Sequence, residues 1–342
     1  MDVHITRLIS KLRHLSRSRS APVSLDLLKW FNMTTFDLIG DLALGKSFGA
    51  LEAEQEMPYM TNVLQTMRLG RITSAIAGSR MLKLGIDVAC WVHPALLAGR
   101  ARLVEEAEVR GRERLALKTR RQDVMAYILR HKDTESASEK SEGRAGASGK
   151  SMTEAEIMRN LAVLLAAGGD STATALAGST YLLLSHPSAL AHLRAELDAA
   201  GISPSSDVEI TQTLVNDLPY LNGVLKEALR LYPPFPVALP RKLLRDCVID
   251  GWPVPKGTVV GAHHYATFRS ELNWHRAEEF CPERWCDDPE FRDDARGAWA
   301  PFSLGPRACI ASGYVLLILL VLLILLVIGD ECCEGADRGL VT

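Results

Sequence analysis

The chain has 342 residues, of which 47% are hydrophobic, and its formal net charge is -2 at pH 7. This length allows two average domains or one large domain, and the nearly balanced charge excludes a general attraction to nucleic acid. The seven cysteines are irregularly spaced, which excludes a disulfide framework and indicates a reducing compartment. Cys281 and Cys286 lack the spacing and the histidine partners of a zinc site.

The N-terminal segment 1–20 carries five basic residues and one acid, and it is rich in serine. That composition is typical of a transit peptide. The same segment also places apolar residues at helical spacing, namely Ile5, Leu8, Ile9, Leu12 and Leu15. Because apolar periodicity is the stronger signal, we predict a surface helix here and keep the transit peptide as the alternative.

Apolar residues recur with a period near 3.6 through the next part of the chain. The pattern predicts helices over 24–44, 57–93, 101–120 and 123–131. Gly45 is a plausible stop for the first of these helices, and Pro94 ends the second. Residues 132–151 are polar and contain no large apolar side chain, so we predict a mobile linker.

The longest predicted helix follows this linker. Thr153 and Glu156 form a capping box, and the apolar run then continues to Leu184. At a rise of 1.5 Å per residue, such a helix is roughly 48 Å long and crosses a whole domain. Gly168 and Gly169, followed by hydroxyl side chains, predict a distortion in its middle. The alternative is that the two glycines allow close packing of another helix.

The last third of the chain is more varied. Helices are predicted over 188–200 and 217–234, and short strands over 247–249, 252–254 and 258–264. The first two strands are joined by a turn at residues 250–251. The region 273–300 shows little periodicity, and we predict ordered irregular chain there.

Four motifs occur in a fixed order along the chain: AGGDST, KEALR, CPERW and PFSLGPRACI. Together they resemble the cytochrome P-450 family of haem-thiolate monooxygenases. The fourth is the specific one, because Phe302, Gly305, Arg307 and Cys309 match the family pattern Phe-x-x-Gly-x-Arg-x-Cys. The segments TTFDLIGDLALGKSFG and GTVVGAHHYATFRS resemble the fungal secondary-metabolism branch. The likeness covers about residues 1 to 310.

The resemblance implies a mainly α fold with a small β region, namely a partial cytochrome P-450 fold with a long central helix, a helical bundle and small sheets. It also implies haem b as the cofactor. Since the thiolate and not the thiol binds iron, Cys309 is expected to be the axial metal ligand. Thiolate donation favours cleavage of the O–O bond.

The same resemblance assigns roles to the neighbours of Cys309. Arg307 is always charged and fork-shaped, so it suits a haem propionate. Gly305 lets the backbone approach the porphyrin closely, and Phe302 is expected to pack beside the sulfur. Arg241 resembles a second propionate partner.

On the long helix, Asp170 and Ser171 stand where the family has its acid and its alcohol, and Thr172 follows them. The resemblance implies that these residues relay protons through water. The family usually has threonine in place of Ser171, and serine is less restricted about its first torsion.

Glu227 and Arg230 are three residues apart on one predicted helix face. In isolation they indicate an ordinary exposed ion pair, which contributes under about 1 kcal/mol. The resemblance instead implies a buried structural network that Arg284 completes.

The implied activity is insertion of one oxygen atom into a lipophilic small molecule. Dioxygen is the second substrate, and NADPH supplies electrons through a reductase. Family members are associated with the endoplasmic reticulum membrane, and the sequence gives no sign of a nucleic-acid partner.

The sequence also departs from the family. We expect a chain shortened at its N-terminus, with residues 1–310 forming a partial monooxygenase domain and residues 311–342 a divergent hydrophobic tail. Residues 315–328 are all valine, leucine or isoleucine, so a membrane helix near 314–329 is an alternative to an altered reading frame. Two other functions therefore stay open: an inactive remnant that does not hold haem, and a tail-anchored helical protein without catalysis. Without such a membrane helix, the chain is expected to be cytoplasmic.

Overall fold

The computed structural model describes residues 2–17, 24–76, 85, 95–116, 123–128, 152–202, 212–313, 316, 319, 321 and 324. The predicted linker 132–151 lies outside the described residues, and so does most of the segment 314–329. The chain divides into two compact units. The first contains Met1–Leu8 and Asp26–Ala173, and the second contains Ile9–Leu25 and Thr174–Thr342.

Helices form most of the described structure, and the strands are few and short, so the expected mainly α fold is confirmed. The helices are α1 (Asp2–Arg17), α2 (Leu27–Leu44), α3 (Ala50–Ala53), α4 (Pro58–Ile76), α5 (Ala95–Ala116), α6 (Glu154–Ser185), α7 (Pro187–Ala199), α8 (Gln212–Asn216), α9 (Pro219–Leu231) and α10 (His264–Phe268). Residues 124–128 are helical as well.

Helix α2 shows how local signals fix its ends. The Asp26 carboxylate accepts a hydrogen bond from the Lys29 N–H at 3.1 Å and so caps the N-terminus. Gly45 ends the helix in the left-handed conformation, with φ at 69°. This conformation favours glycine, and the predicted stop is therefore confirmed.

Phe36 lies at the centre of the first unit. Its ring meets the rings of Phe48 and Tyr59 edge-on, with both centroids at 6.4 Å. The fully buried Asp37 accepts the N–H groups of Ala50 and Leu51 at 3.0 and 2.9 Å. This carboxylate therefore fixes the start of α3, which the sequence pattern did not predict.

Helix α6 has 32 residues and begins with the predicted capping box. The Thr153 N–H donates to Glu156 Oε2 at 2.8 Å, and the Glu156 N–H donates to Thr153 Oγ1 at 3.3 Å. The helix continues without interruption through Gly168 and Gly169. The predicted distortion therefore does not interrupt the helix.

Close packing within the first unit explains the two glycines. A Cβ atom on Gly168 would lie 2.8 Å from Ile39 Cγ1, and one on Gly169 would lie 2.6 Å from Phe36 Cε2. Only glycine allows α2 to approach this closely, and the contact offsets the helix-propensity cost of about 1 kcal/mol per glycine.

Among the described residues, α6 is the one helix long and apolar enough to cross a membrane. In its most apolar window, 44% of the residues are buried inside the protein. Core helices of soluble proteins have the same length and composition, so this finding is weak evidence for a membrane span.

The strands form two small antiparallel sheets in the second unit. Strand β2 (Cys247–Ile249) pairs with β3 (Trp252–Val254), and Ile249 lies opposite Trp252. The predicted hairpin is confirmed, and its turn residues Asp250 and Gly251 have φ angles of 50° and 78°.

The second sheet joins β1 (Arg241–Lys242) to β4 (Val259–Val260). The predicted third strand, 258–264, is therefore too long. Helix α10 already begins at His264, whose imidazole Nδ1 lies 3.0 Å from the Phe235 carbonyl oxygen.

The described chain over 269–311 is irregular, as predicted for residues 273–300. It contains short 3-10 turns at Pro282–Trp285, Pro289–Phe291, Arg296–Ala298 and Gly305–Arg307. Beyond residue 313 the structure describes four helical residues, and three of them, Leu319, Val321 and Ile324, are buried.

Candidate functional site

The segment from Phe302 to Cys309 forms a tight loop. The Cys309 N–H donates to the Phe302 carbonyl at 2.8 Å, and the Ala308 N–H donates to the Gly305 carbonyl at 2.9 Å. Ser303 and Gly305 adopt left-handed conformations, with φ angles of 60° and 74°. This conformation favours glycine, which the chain has at residue 305. The two hydrogen bonds close the loop and place the cysteine at its end.

The loop presents its side chains to the surface. Cys309 is exposed, and its apolar neighbours Leu304 and Ile310 are 73% and 95% exposed. Arg307 is also exposed and forms no hydrogen bond or ion pair with any of the described residues. The loop thus offers a thiol, a cation and apolar surface side by side in sequence.

Arg241 lies on β1, opposite Val260. Its side chain is exposed, and Nη1 donates to the carbonyl of the preceding Pro240 at 3.2 Å. None of its hydrogen bonds to described residues reaches the loop 302–309.

Asp170, Ser171 and Thr172 lie on α6 and belong to the first unit, whereas Cys309 belongs to the second. The Ser171 hydroxyl donates to the Ala167 carbonyl of its own helix at 2.5 Å. Thr172 is buried, with 2% of its surface exposed.

Glu227, Arg230 and Arg284 come together in the second unit, and all three side chains are fully buried. Arg230 binds both carboxylate oxygens of Glu227, Nε to Oε2 at 2.9 Å and Nη2 to Oε1 at 2.8 Å. Arg284 Nε donates to Oε1 at 3.3 Å. The isolated-pair interpretation therefore does not apply, because the charges are removed from water.

The two guanidinium groups are satisfied by further acceptors. Arg230 donates to the carbonyls of Phe268, Ala277 and Glu279 at 2.7, 2.5 and 3.0 Å. Arg284 pairs with the buried Asp294. A buried ion pair is stable only when its remaining polar atoms are paired in this way. Helix α9 is thereby fastened to the irregular chain after α10.

Sequence reasoning missed Trp285 as a member of this network. Its indole N–H donates to Glu227 Oε2 at 3.0 Å. Trp274 is buried beneath both guanidinium groups, with its ring centroid 5.5 Å from Arg230 Cζ and 5.8 Å from Arg284 Cζ. The only available signal for Trp285 was its position next to an arginine of the CPERW motif.

A cavity of about 570 Å³ opens beside the network and is lined by Cys281, Arg276 and several acidic side chains. The Arg276 guanidinium, by hydrogen bonding, holds the pKa of Glu279 below its ordinary value. Burial raises the pKa of the Cys281 thiol, and it raises that of Cys286 to about 11. Both thiols are therefore protonated at neutral pH, which makes them poor metal ligands and poor nucleophiles.

The sequence matches the family described as Cytochrome P450 over residues 1–326. The chain belongs to the cytochrome P450 family. The match runs past Ile310, so it includes the first part of the segment that we expected to diverge.

Similar cytochrome P450 proteins come from fungi. The chain is 36% identical over 315 residues to cytochrome P450 monooxygenase aclL of Aspergillus oryzae, covering 90% of this chain and 59% of that protein. It is 35% identical over 308 residues to averantin hydroxylase of Dothistroma septosporum, covering 90% of this chain and 54% of that protein. The chain thus spans little more than half the length of these relatives.

A solved structure with the same fold is the cytochrome P450DA heme domain. The two superpose with a TM-score of 0.70 at 23% identity, over 95% of this chain and 66% of that one. This likeness shows the fold, and the expected partial cytochrome P-450 fold is confirmed.

Proposed function

We propose that this chain is the haem-binding part of a monooxygenase that inserts one atom of dioxygen into a lipophilic small molecule. The observation that carries the proposal is the loop from Phe302 to Cys309, which presents an exposed thiol at its closed end in a chain of the cytochrome P450 family. The names of the two fungal relatives, a monooxygenase and a hydroxylase, support the same reaction class. The segments that resemble the fungal secondary-metabolism branch support a role in secondary metabolism.

The chemistry of the loop suits haem b, an apolar ring with a central iron and anionic propionates. Cys309 offers sulfur for the iron, Leu304 and Ile310 offer exposed apolar surface, and Arg307 offers a guanidinium without another partner among the described residues. A Cβ atom on Gly305 would meet no atom within 4 Å, so the backbone there is open to a ligand. The residues present therefore fit the group.

When bound, haem would supply the activation of dioxygen, which thiolate donation favours. Cys309 would hold the iron, while Arg307 and the exposed Arg241 would each neutralise a propionate. Phe302, whose carbonyl accepts the Cys309 N–H, would limit the access of water to the sulfur.

The proton chemistry would fall to α6. Asp170 would hold a proton, and Ser171 and Thr172 would orient the water that carries it onward. The bond from the Ser171 hydroxyl to the Ala167 carbonyl leaves the lone pairs of the serine oxygen free to accept from water.

The electrons would come from NADPH through a reductase. Association with the endoplasmic reticulum membrane is part of the proposal by resemblance to the family, and a lipophilic substrate would partition into that membrane.

Reconstitution with haemin tests the proposal. The apoprotein is titrated with haemin, reduced and exposed to carbon monoxide, and the Soret band is recorded. We expect the thiolate-shifted band for the parent, its loss in Cys309→Ala, and its retention in Cys247→Ala, a matched control on β2. A parent that takes up no haem, or a shifted band that survives Cys309→Ala, would overturn the proposal.

A further inference from the structure

Trp299 is a side chain through which the base of the cysteine loop contacts the rest of the second unit. Its ring centroid lies 5.1 Å from that of Trp285, with the two planes at 55°. In the described stretch 300–313, no side chain takes part in a hydrogen bond, an ion pair or a ring contact of the kinds seen elsewhere in the unit. Besides the packing of the half-buried residues 300–303, the loop is therefore positioned by the Trp299 ring.

Trp285 in turn is fixed by the buried carboxylate of Glu227. That carboxylate is fully buried, and Oε2 accepts from Arg230 Nε at 2.9 Å and from the Trp285 indole at 3.0 Å. Lys226 lies on α9 beside Glu227, and its Nζ atom is 5.8 Å from the Trp285 ring centroid. A hydrogen bond to an ionised group is stronger than a neutral one, so it restrains the indole ring.

We propose that Trp285 is a positioning residue for Cys309: the hydrogen bond from its indole to Glu227 orients the ring against which Trp299 packs, and Trp299 holds the base of the cysteine loop. The proposal rests on the proposed function for its consequence, since only a correctly placed loop presents the sulfur to haem iron. The link itself is a property of the apoprotein.

A short stretch of hydrogen-bonded backbone connects Trp299 to Cys309. The Trp299 N–H donates to the Arg296 carbonyl at 3.1 Å, and the Ser303 N–H donates to the Ala300 carbonyl at 2.9 Å. The Cys309 N–H then closes the loop on Phe302. A shift of the Trp299 ring therefore loosens a series of local hydrogen bonds that end at the cysteine.

Hydrogen exchange of the apoprotein, read by mass spectrometry, tests this link without haem. Trp285→Phe keeps an aromatic ring but removes the indole N–H, and we expect exchange in 302–310 to become about tenfold faster, the effect of losing one hydrogen bond of typical strength. Exchange in α7 should stay within about twofold of the parent. Trp252→Phe is the matched control, because that tryptophan is 74% exposed on the hairpin, and it should change neither segment.

A second variant keeps the test decisive if Trp285→Phe folds poorly. Trp299→Leu removes the ring contact and leaves the bond from Trp285 to Glu227 in place, and it should loosen 302–310 alone. Hydrogen exchange in 302–310 should be no faster in the double variant, Trp285→Phe with Trp299→Leu, than in Trp299→Leu alone. The reason is that Trp285 acts through Trp299. Unchanged exchange in 302–310, equal acceleration throughout the unit, or additive effects would each overturn the proposal.

Reconstitution with haemin gives the spectroscopic readout. The share of reduced, carbon-monoxide-bound protein with the thiolate-shifted Soret band should fall in Trp285→Phe and Trp299→Leu and stay unchanged in Trp252→Phe. A parent that binds no haem defeats the proposed function, and the exchange data still decide the link. A parent that binds haem normally, with equal spectra in all three variants, defeats the link alone.

Discussion

Glu227 and Arg230, three residues apart on one face of α9, form a bidentate ion pair. Its N–O distances are 2.9 and 2.8 Å, and neither side chain is exposed to solvent. Because neither charge reaches water, the pair is stable only while both partners and their additional hydrogen bonds are present. This pair anchors the irregular chain that leads to Cys309.

Replacing Glu227 by alanine should therefore strongly destabilise the folded protein. Arg230 would remain buried without a carboxylate, and Arg284 would keep only its pair with Asp294. We expect the free energy of unfolding to fall by about 3–5 kcal/mol. Urea denaturation of the apoprotein, followed by circular dichroism, measures the change. Asp293→Ala is the control, because its pair with Arg292 is exposed at 3.7 Å and should contribute under about 1 kcal/mol. Similar losses in the two variants would contradict the assignment.

Gly223→Ala should also destabilise the second unit. A Cβ atom there would lie 2.8 Å from the Pro282 carbonyl oxygen, which belongs to the backbone and cannot rotate away. We expect a loss of about 1–3 kcal/mol, typical of overpacking, measured by the same denaturation. Gly297→Ala, where no atom lies within 4 Å of the added carbon, should be nearly neutral. A neutral Gly223→Ala would show that α9 and the turn Pro282–Trp285 are not packed this closely.

The cysteines should differ in reactivity and in its pH dependence. Burial disfavours the thiolate and raises the pKa of Cys286 to about 11, so its thiolate fraction should grow about tenfold per pH unit between pH 8 and pH 10. Cys309 is exposed and should be alkylated before Cys286 at pH 8. Peptide mapping after timed treatment with iodoacetamide measures both rates. Equal rates for the two residues at pH 8 would be inconsistent with the burial of Cys286.

Tyr220 should make the second unit sensitive to alkali. Burial, followed by the neighbouring Glu283, raises the pKa of its phenol, which donates to Glu283 Oε1 at 3.0 Å. Since the folded pKa exceeds the unfolded value near 10, this contribution to stability is complete below about pH 10 and is lost as the pH rises from there. The melting temperature should thus fall more steeply above pH 10 in the parent than in Tyr220→Phe. If the melting temperatures of the parent and Tyr220→Phe fell in parallel above pH 10, ionisation of Tyr220 would not be linked to stability.

The parts of the fold that the sequence predicted are those governed by local chemistry. The capping box of Thr153 and Glu156, the Gly45 helix stop and the turn at residues 250–251 all rest on neighbours within a few residues, and all three are present. The close packing at Gly168 and Gly169 could be stated only as an alternative, because the packing partners lie on α2, far away in sequence.

In the candidate site too, the sequence marked the local features but not the contacts between distant parts of the chain. The resemblance to the family pattern marked Phe302, Gly305, Arg307 and Cys309, and two local hydrogen bonds close the loop that holds them. The contact between Trp285 and Glu227 joins two distant parts of the chain, and no periodicity or spacing reports such a bond. A family motif marked Glu227 and Arg230, whereas the tryptophan that completes their hydrogen bonding became visible only in three dimensions.

The most direct test of the account asks which atom holds the iron. X-ray absorption at the iron K edge of the haemin-reconstituted protein should detect one sulfur ligand in the parent and none in Cys309→Ala. Iron with only nitrogen or oxygen ligands in the parent, or a sulfur ligand that persists in Cys309→Ala, would contradict the claim that the loop from Phe302 to Cys309 holds haem through its thiolate.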